Sequence, residues 1–200
     1  MPFTFTATAI PEIVLVESRA FADSRGFFRE GFKRTDFGAA GLPTEFVQDN
    51  VSRSSSGVVR GLHYQRDPAA QGKLVSVVRG AIFDVGVDIR TGSPTYGRWV
   101  GETLSDDNGR MLWIPAGFAH GFCVLSELAD VTYKVAGSEY SGPHDGGIRW
   151  DDPAIGIVWP VDEPVLSDKD AALPSLADCG HGFVYPGSAL PLGESALSER

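Results

Sequence analysis

Six consecutive residues, Arg60-Gly61-Leu62-His63-Tyr64-Gln65, place a guanidinium, an imidazole, a phenol and an amide side by side, between Val58-Val59 and the apolar run Leu74 to Val78 that follows Lys73. A neutral imidazole takes a proton near pH 7, and Arg60 and Lys73 can hold an anion or stabilise a developing negative charge. A lone histidine is ordinarily a hydrogen-bonded core or rim residue, but polar neighbours this dense on strand-like sequence point to a site. Further polar groups stand on or beside apolar strands: His120 beside Gly121, Tyr133 between Val131 and Val135, and Gln48-Asp49-Asn50 inside the extended run Phe46 to Ser52.

Two chemical classes fit these residue types. A metal cup of the cupin kind needs two histidines two residues apart, an acid a few residues on and a distant third histidine. Here Gln65 occupies the second position of that pair and Lys73 adds a cation nearby, so no metal and no other cofactor is expected. The other class is proton transfer at a carbon next to a carbonyl, which needs a base of near-neutral pKa, an acid on the opposite face and a cation for the enolate oxygen. His63, Tyr133 and Lys73 supply those three, and Asp170 could fix the histidine tautomer. Serine hydrolysis is less attractive, because no Gly-x-Ser-x-Gly elbow occurs.

Such residues, far apart in sequence, can converge only on a scaffold that brings strands around a common interior. With 200 residues, 42% hydrophobic, 24 Gly and 13 Pro, the chain reads as one all-β domain with a few short helices. Strands are predicted at 10–17, 27–32, 46–52, 74–89 with Gly80 as a break, 96–104, 111–114, 122–125, 131–135 and 155–159. Ser52 to Gly57 reads as a polar loop, Thr35-Asp36 as the start of one helical turn, and Ser138 to Trp150 as a lid or rim loop. Ser167-Asp168-Lys169-Asp170 reads as the capped start of a short helix, and the Gly/Ser/Pro-rich end as loose. Arg60 and His63 would face opposite sides of a regular strand, so a shared ligand requires a bend, for which Gly61 is the hinge.

A net charge of -9 argues against nucleic acid or an anionic membrane as partner, so any anionic ligand must meet local positive charge. Two cysteines, Cys123 and Cys179, make no disulfide framework. The N-terminus lacks a signal-peptide pattern and no segment approaches the ~20 apolar residues of a membrane span, so a cytoplasmic protein is expected.

The blocks Ser24 to Glu30, Phe46 to Asn50, Arg60 to Gln65, Gln71 to Val75, Phe83 to Arg90, Trp113 to Phe122 and Ser167 to Asp170 closely resemble the dTDP-4-dehydrorhamnose 3,5-epimerase family. The resemblance covers about residues 8 to 176, within a single domain at 1–178 followed by a tail at 179–200. It implies a cupin-type jelly-roll barrel (double-stranded β-helix), metal-free and homodimeric, acting on a dTDP-4-keto-6-deoxy sugar on the way to L-rhamnose. It makes His63 the base with Asp170 as its partner, Tyr133 the acid, and Lys73 the cation facing the sugar carbonyl. Arg25, Glu30, Gln48, Asp49, Asn50, Arg60, His120 and Lys169 then contact the nucleotide sugar, and Tyr140 stacks on thymine. Asp145 stands where a substrate-binding glutamate is usual, in a lid one residue longer than the commoner pattern. Single-site epimerisation at carbon 3 or carbon 5, and non-catalytic binding of a nucleotide sugar, are the alternatives. If the metal-free reading holds, turnover survives exhaustive chelation; its loss, with recovery on adding a divalent ion, would contradict it.

Overall fold

The computed structural model describes residues 2–187 and 197–198. β1 (Phe3–Ala7) and β2 (Val14–Ser18) pair antiparallel, and β3 (Ala20–Asp23) and β4 (Gly26–Arg29) form a hairpin outside both main sheets. After α1 (Arg34–Ala39) the chain passes between two sheets as β5 (Gln48–Ser55), β6 (Val59–Gln65), β7 (Gln71–Arg79), β8 (Ala81–Asp88), β9 (Trp99–Ser105), β10 (Arg110–Ile114), β11 (Phe118–Val124) and β12 (Leu128–Gly137). The short strands β13 (Asp145–Gly147) and β14 (Leu197–Ser198) and the helix α2 (Asp168–Ala171) complete it. The larger sheet runs β14-β1-β2-β10-β7-β12-β5 and the smaller β13-β6-β11-β8-β9. This is the cupin-type jelly roll the sequence predicts. Among the described residues no helix is long and apolar enough to cross a membrane.

The apolar pattern follows from burial on both faces of each sheet. Leu15, Val75, Val77 and Val131 of the larger sheet meet Ile82, Leu104, Phe122 and Val124 of the smaller, with Tyr133 packed against them, as its alternation with Val131 requires. Val85 and Val87, on the other face of β8, are covered by Ile148, Ile155, Trp159, Leu176 and Phe183. That double coverage explains the nearly continuous hydrophobic run at 74–89. Phe37, Ala40 and Leu42, from α1 and the residues after it, cover Val14, Val16, Leu74 and Trp113 on the outer face of the larger sheet.

Several elements differ from expectation. The predicted strand at 10–17 begins only at Val14, because Ile13 N–H closes a turn onto Ile10 O. The strand predicted at 27–32 is the second arm of the β3-β4 hairpin and ends at Arg29. Ser52 to Ser55 is strand rather than loop, since these residues pair along β12 and Arg53 grips Asp130 with two bonds of 2.7 and 2.8 Å. The strand predicted from Tyr96 starts at Trp99, because the Ser93 and Thr95 hydroxyls fold the chain back onto Asp88 Oδ2 at 2.5 and 2.6 Å. Residues 155–159 are not a strand: Ile155 and Gly156 turn onto Asp152 O, and Ile155 and Trp159 only cover the smaller sheet. Beyond 178, where a loose tail is expected, Cys179 and Phe183 are buried and Val184 bridges Thr91. The expectation for 188–196 and 199–200 lies outside the described residues.

The bend at Gly61 decides where the site's side chains point. Gly61 has φ +117°, and the pairing of β6 with β11 slips between His120↔His63 and Phe122↔Arg60. The extra residue in β6 is a bulge, and it turns Arg60 and His63, of opposite parity, into one cavity. A Cβ on Gly61 would lie 2.7 Å from Gly121 Cα and from His120 O. Gly61→Ala is therefore expected to cost about 2–4 kcal/mol, strain plus clash. Gly57→Ala, with φ +74° but open surroundings, should cost only about 1 kcal/mol. Equal losses in urea unfolding would contradict this.

Candidate active site

The cup lies between the two sheets, a cavity of about 230 Å³ lined by Asn50, Ser52, Arg60, His63, Lys73, His120 and Tyr133. β6 and β11 of the smaller sheet carry Arg60, His63 and His120, and β5, β7 and β12 of the larger carry Asn50, Ser52, Lys73 and Tyr133. His63 and Tyr133 therefore enter from opposite walls.

His63 Nε2 is 2.5 Å from Asp170 Oδ1. Burial pushes the Asp170 carboxyl up, but the bonds to His63 and Ser167 outweigh it and hold the group below the usual carboxylate range. An ionised carboxylate only accepts, so Nε2 carries a proton, and in the neutral imidazole Nδ1 is the nitrogen left bare. α2 places Asp170 through its N-cap: Ser167 Oγ accepts the Asp170 N–H at 3.1 Å, which matches the predicted capping.

Opposite it, Tyr133 Oη lies 2.8 Å from Ser52 Oγ. Burial pushes the phenol above its ordinary value, so it stays protonated throughout the working pH range. Burial also pulls the Lys73 ammonium down to about 8, against the attraction of Asp145 and Asp84. The cation is kept at neutral pH, close to its point of loss.

Asp84 is a site residue that the sequence reading missed. It is wholly buried, its Oδ1 shares a hydrogen bond with His120 Nε2 at 2.7 Å, and its Oδ2 has no hydrogen-bond partner among the described residues. Burial pushes Asp84 up and His120 down, each away from its charged form. The signal was a single carboxylate inside the apolar run Ile82-Phe83-Asp84-Val85, at the inward parity of Ile82. Ser52 was missed because its stretch read as loop.

Other predicted residues form the rim. Gln48 Oε1 accepts from Tyr140 N–H at 2.8 Å, and Gln48 Nε2 donates to Asn50 Oδ1 at 2.8 Å. Asp145 takes the Gln65 amide on Oδ1 at 3.1 Å and the Lys169 ammonium on Oδ2. The Tyr140 side chain is exposed. Arg60 Nε donates to Ser54 Oγ at 2.9 Å.

Three predicted contacts do not line this cup. Arg25, at the exposed tip of the β3-β4 hairpin, pairs with Asp23 at 2.5 Å. Glu30 borders a cleft with Phe27, Arg29 and Arg110, and its Oε2 is buried without a partner. Asp49, one residue out of phase with Gln48 and Asn50, faces the outside of the larger sheet and binds Lys134 Nζ at 3.0 and 3.1 Å. Among the described residues no three His, Cys, Asp or Glu side chains are grouped as metal ligands.

Known proteins share this fold and much of this sequence. Residues 7–178 match the family described as dTDP-4-dehydrorhamnose 3,5-epimerase. A Shigella flexneri protein of that name is 56% identical over 164 residues, 82% of this chain and 90% of its own. A Legionella pneumophila dTDP-6-deoxy-D-glucose-3,5-epimerase, solved in complex with dTDP-4-keto-L-rhamnose, superposes with a TM-score of 0.87 at 46% identity, covering 94% of this chain and 100% of that one. A Streptomyces niveus dTDP-4-dehydrorhamnose 3-epimerase is 40% identical over 166 residues, 82% of this chain and 80% of its own. With its fold and most of its length shared, this chain is an epimerase and belongs to the dTDP-4-dehydrorhamnose 3,5-epimerase family.

Proposed function

We propose that the chain inverts carbon 3 and carbon 5 of dTDP-4-dehydro-6-deoxy-D-glucose to give dTDP-4-dehydro-L-rhamnose. The observation that carries this reading is His63, backed by Asp170, facing Tyr133 across one cup that also holds Lys73. His63 Nδ1 removes the proton next to the ketone, and the electron pair moves to the carbonyl oxygen, beside the Lys73 ammonium. Tyr133 then delivers its proton to the carbanion from the other face, and solvent restores both groups. Carbons 3 and 5 flank the same carbonyl, so one oxyanion position serves both inversions. The Legionella complex with dTDP-4-keto-L-rhamnose supports this substrate. Arg60 and Lys169 bring local positive charge for the diphosphate in a chain of net charge -9.

The protein acts as a homodimer in this reading. Phe27 and Phe28 on the hairpin and Val51 and Val78 on the larger sheet are 61–74% exposed, an apolar surface suited to a second copy. Such pairing would also let the hairpin carry Arg25 and Glu30 toward the partner subunit's cup. The two cysteines are buried and free, which supports a reducing, cytoplasmic location.

Turnover in heavy water tests the chemistry. The wild type should place deuterium at two carbons; one labelled carbon would mean a single-site epimerase, and none a binding protein. His63→Ala should abolish exchange and inversion together. Tyr133→Phe should keep exchange without inversion, because the base and the cation remain. Full inversion by Tyr133→Phe would remove that residue from the mechanism.

The pH profile tests Lys73. With Lys73 near 8 and Tyr133 held above its ordinary value, the cation is the first of the two lost as pH rises. kcat/KM, which reports the free enzyme, should therefore fall as pH passes about 8. In Lys73→Arg, whose guanidinium stays charged, whatever activity remains should lack that limb. An unchanged limb would assign it elsewhere.

A further inference from the structure

Three glutamine side chains hold the near half of the lid, residues 138–141, while its far end pairs with β6 as β13 and takes further bonds from Arg66. Gln71 Nε2 donates to Ser138 O at 2.8 Å, Gln48 Oε1 accepts from Tyr140 N–H at 2.8 Å, and Gln65 Oε1 accepts from Ser141 N–H at 2.9 Å. Gln48 and Gln71 belong to the larger sheet and Gln65 to the smaller, so the lid is tied to both walls of the cup. Consecutive lid N–H groups, those of Tyr140 and Ser141, are held from opposite sides. Gln65 makes a second bond, donating Nε2 to Asp145 Oδ1 at 3.1 Å, and so grips the lid at both its apex and its far end.

Gln65 and Gln71 are buried, 4% and 9% exposed, whereas the Tyr140 side chain between their anchor points is 58% exposed. The position of that ring is thus set by its backbone. An amide suits the task because it both donates and accepts and adds no charge beside Lys73 and Asp145.

We propose that Gln65 and Gln71 are positioning residues for nucleobase recognition: they hold the lid at the height that presents the Tyr140 ring to the base of the sugar nucleotide. The proposal rests on the reading of Tyr140 as the base-stacking residue. Neither glutamine reaches the reacting carbons. Their loss should loosen the lid and weaken base binding without slowing chemistry at saturation.

The test uses Gln65→Met and Gln71→Met, which keep volume and lose the hydrogen bonds. Each should raise KM for the sugar nucleotide and Kd for dTDP about tenfold, within what stacking on an aromatic ring contributes. In Gln71→Met, which leaves the bonds among Gln65, Asp145 and Lys169 in place, kcat should stay within about twofold and inorganic pyrophosphate should bind as to the wild type, since it has no base to stack. Amide exchange at Tyr140 and Ser141 should accelerate. Tyr140→Ala is the control: unaltered dTDP binding there would overturn the stacking role itself, while faster lid exchange in the glutamine variants would still register the clasp. Faster exchange with unchanged dTDP binding in both glutamine variants would overturn the proposal. An equal loss of pyrophosphate and dTDP binding in Gln71→Met would overturn it too, because that glutamine would then shape the whole cup. If Gln65→Met does not fold, Gln71→Met decides alone.

Discussion

The hydrogen bond between His63 Nε2 and Asp170 Oδ1 decides what the cup can do, because it fixes which imidazole nitrogen is bare. Both ends of it are held by local devices. The bulge at Gly61 turns His63 inward against the strand's alternation, and Ser167 caps the turn that presents Asp170. α2 is four residues long, too short to be stable alone, so its position comes from tertiary contacts. The segment around it covers the smaller sheet, where Ile148, Trp159, Leu176 and Phe183 bury Val85 and Val87. Core packing and the orientation of His63 are therefore one structural problem, solved by the same stretch of chain.

A second constraint is charge inside an apolar sandwich. Lys73, Asp84 and His120 each lose water, and burial drives each toward its neutral form. Mutual attraction limits that drift: Asp84 binds His120 directly and pulls the Lys73 ammonium back toward its charged state. The result is a cation held where it is barely stable, which any negative charge brought into the cup would stabilise. In a chain of net charge -9, recognition of an anionic nucleotide has to be this local.

Much of the site was legible because types and spacing were unusual for strands. Arg60, His63, Lys73, His120 and Tyr133 stood out as polar groups on apolar runs, and all of them line the cup. The Gly61 bend followed from parity alone. Asp84 escaped because a single carboxylate in a hydrophobic run carries no motif; its meaning lies in His120, thirty-six residues on. Ser52 to Ser55 was misread because serines are poor strand formers in isolation, and the ladder with β12 overrides that preference. Residues 155–159 failed the other way: an apolar run long enough for a strand serves here as a covering layer. Arg25, Glu30 and Asp49 lie outside the cup formed by this chain, a placement that depends on the hairpin and on strand parity rather than on residue type.

The tautomer of His63 can be read directly by ¹⁵N NMR of the resting enzyme at a pH where it turns over. A proton on Nε2, coupled to a strongly deshielded hydrogen-bond resonance that disappears in Asp170→Ala, together with a bare, pyridine-like Nδ1, is the expected result. A proton on Nδ1 with a bare Nε2 would contradict it, because the nitrogen facing the cup could not then accept a proton.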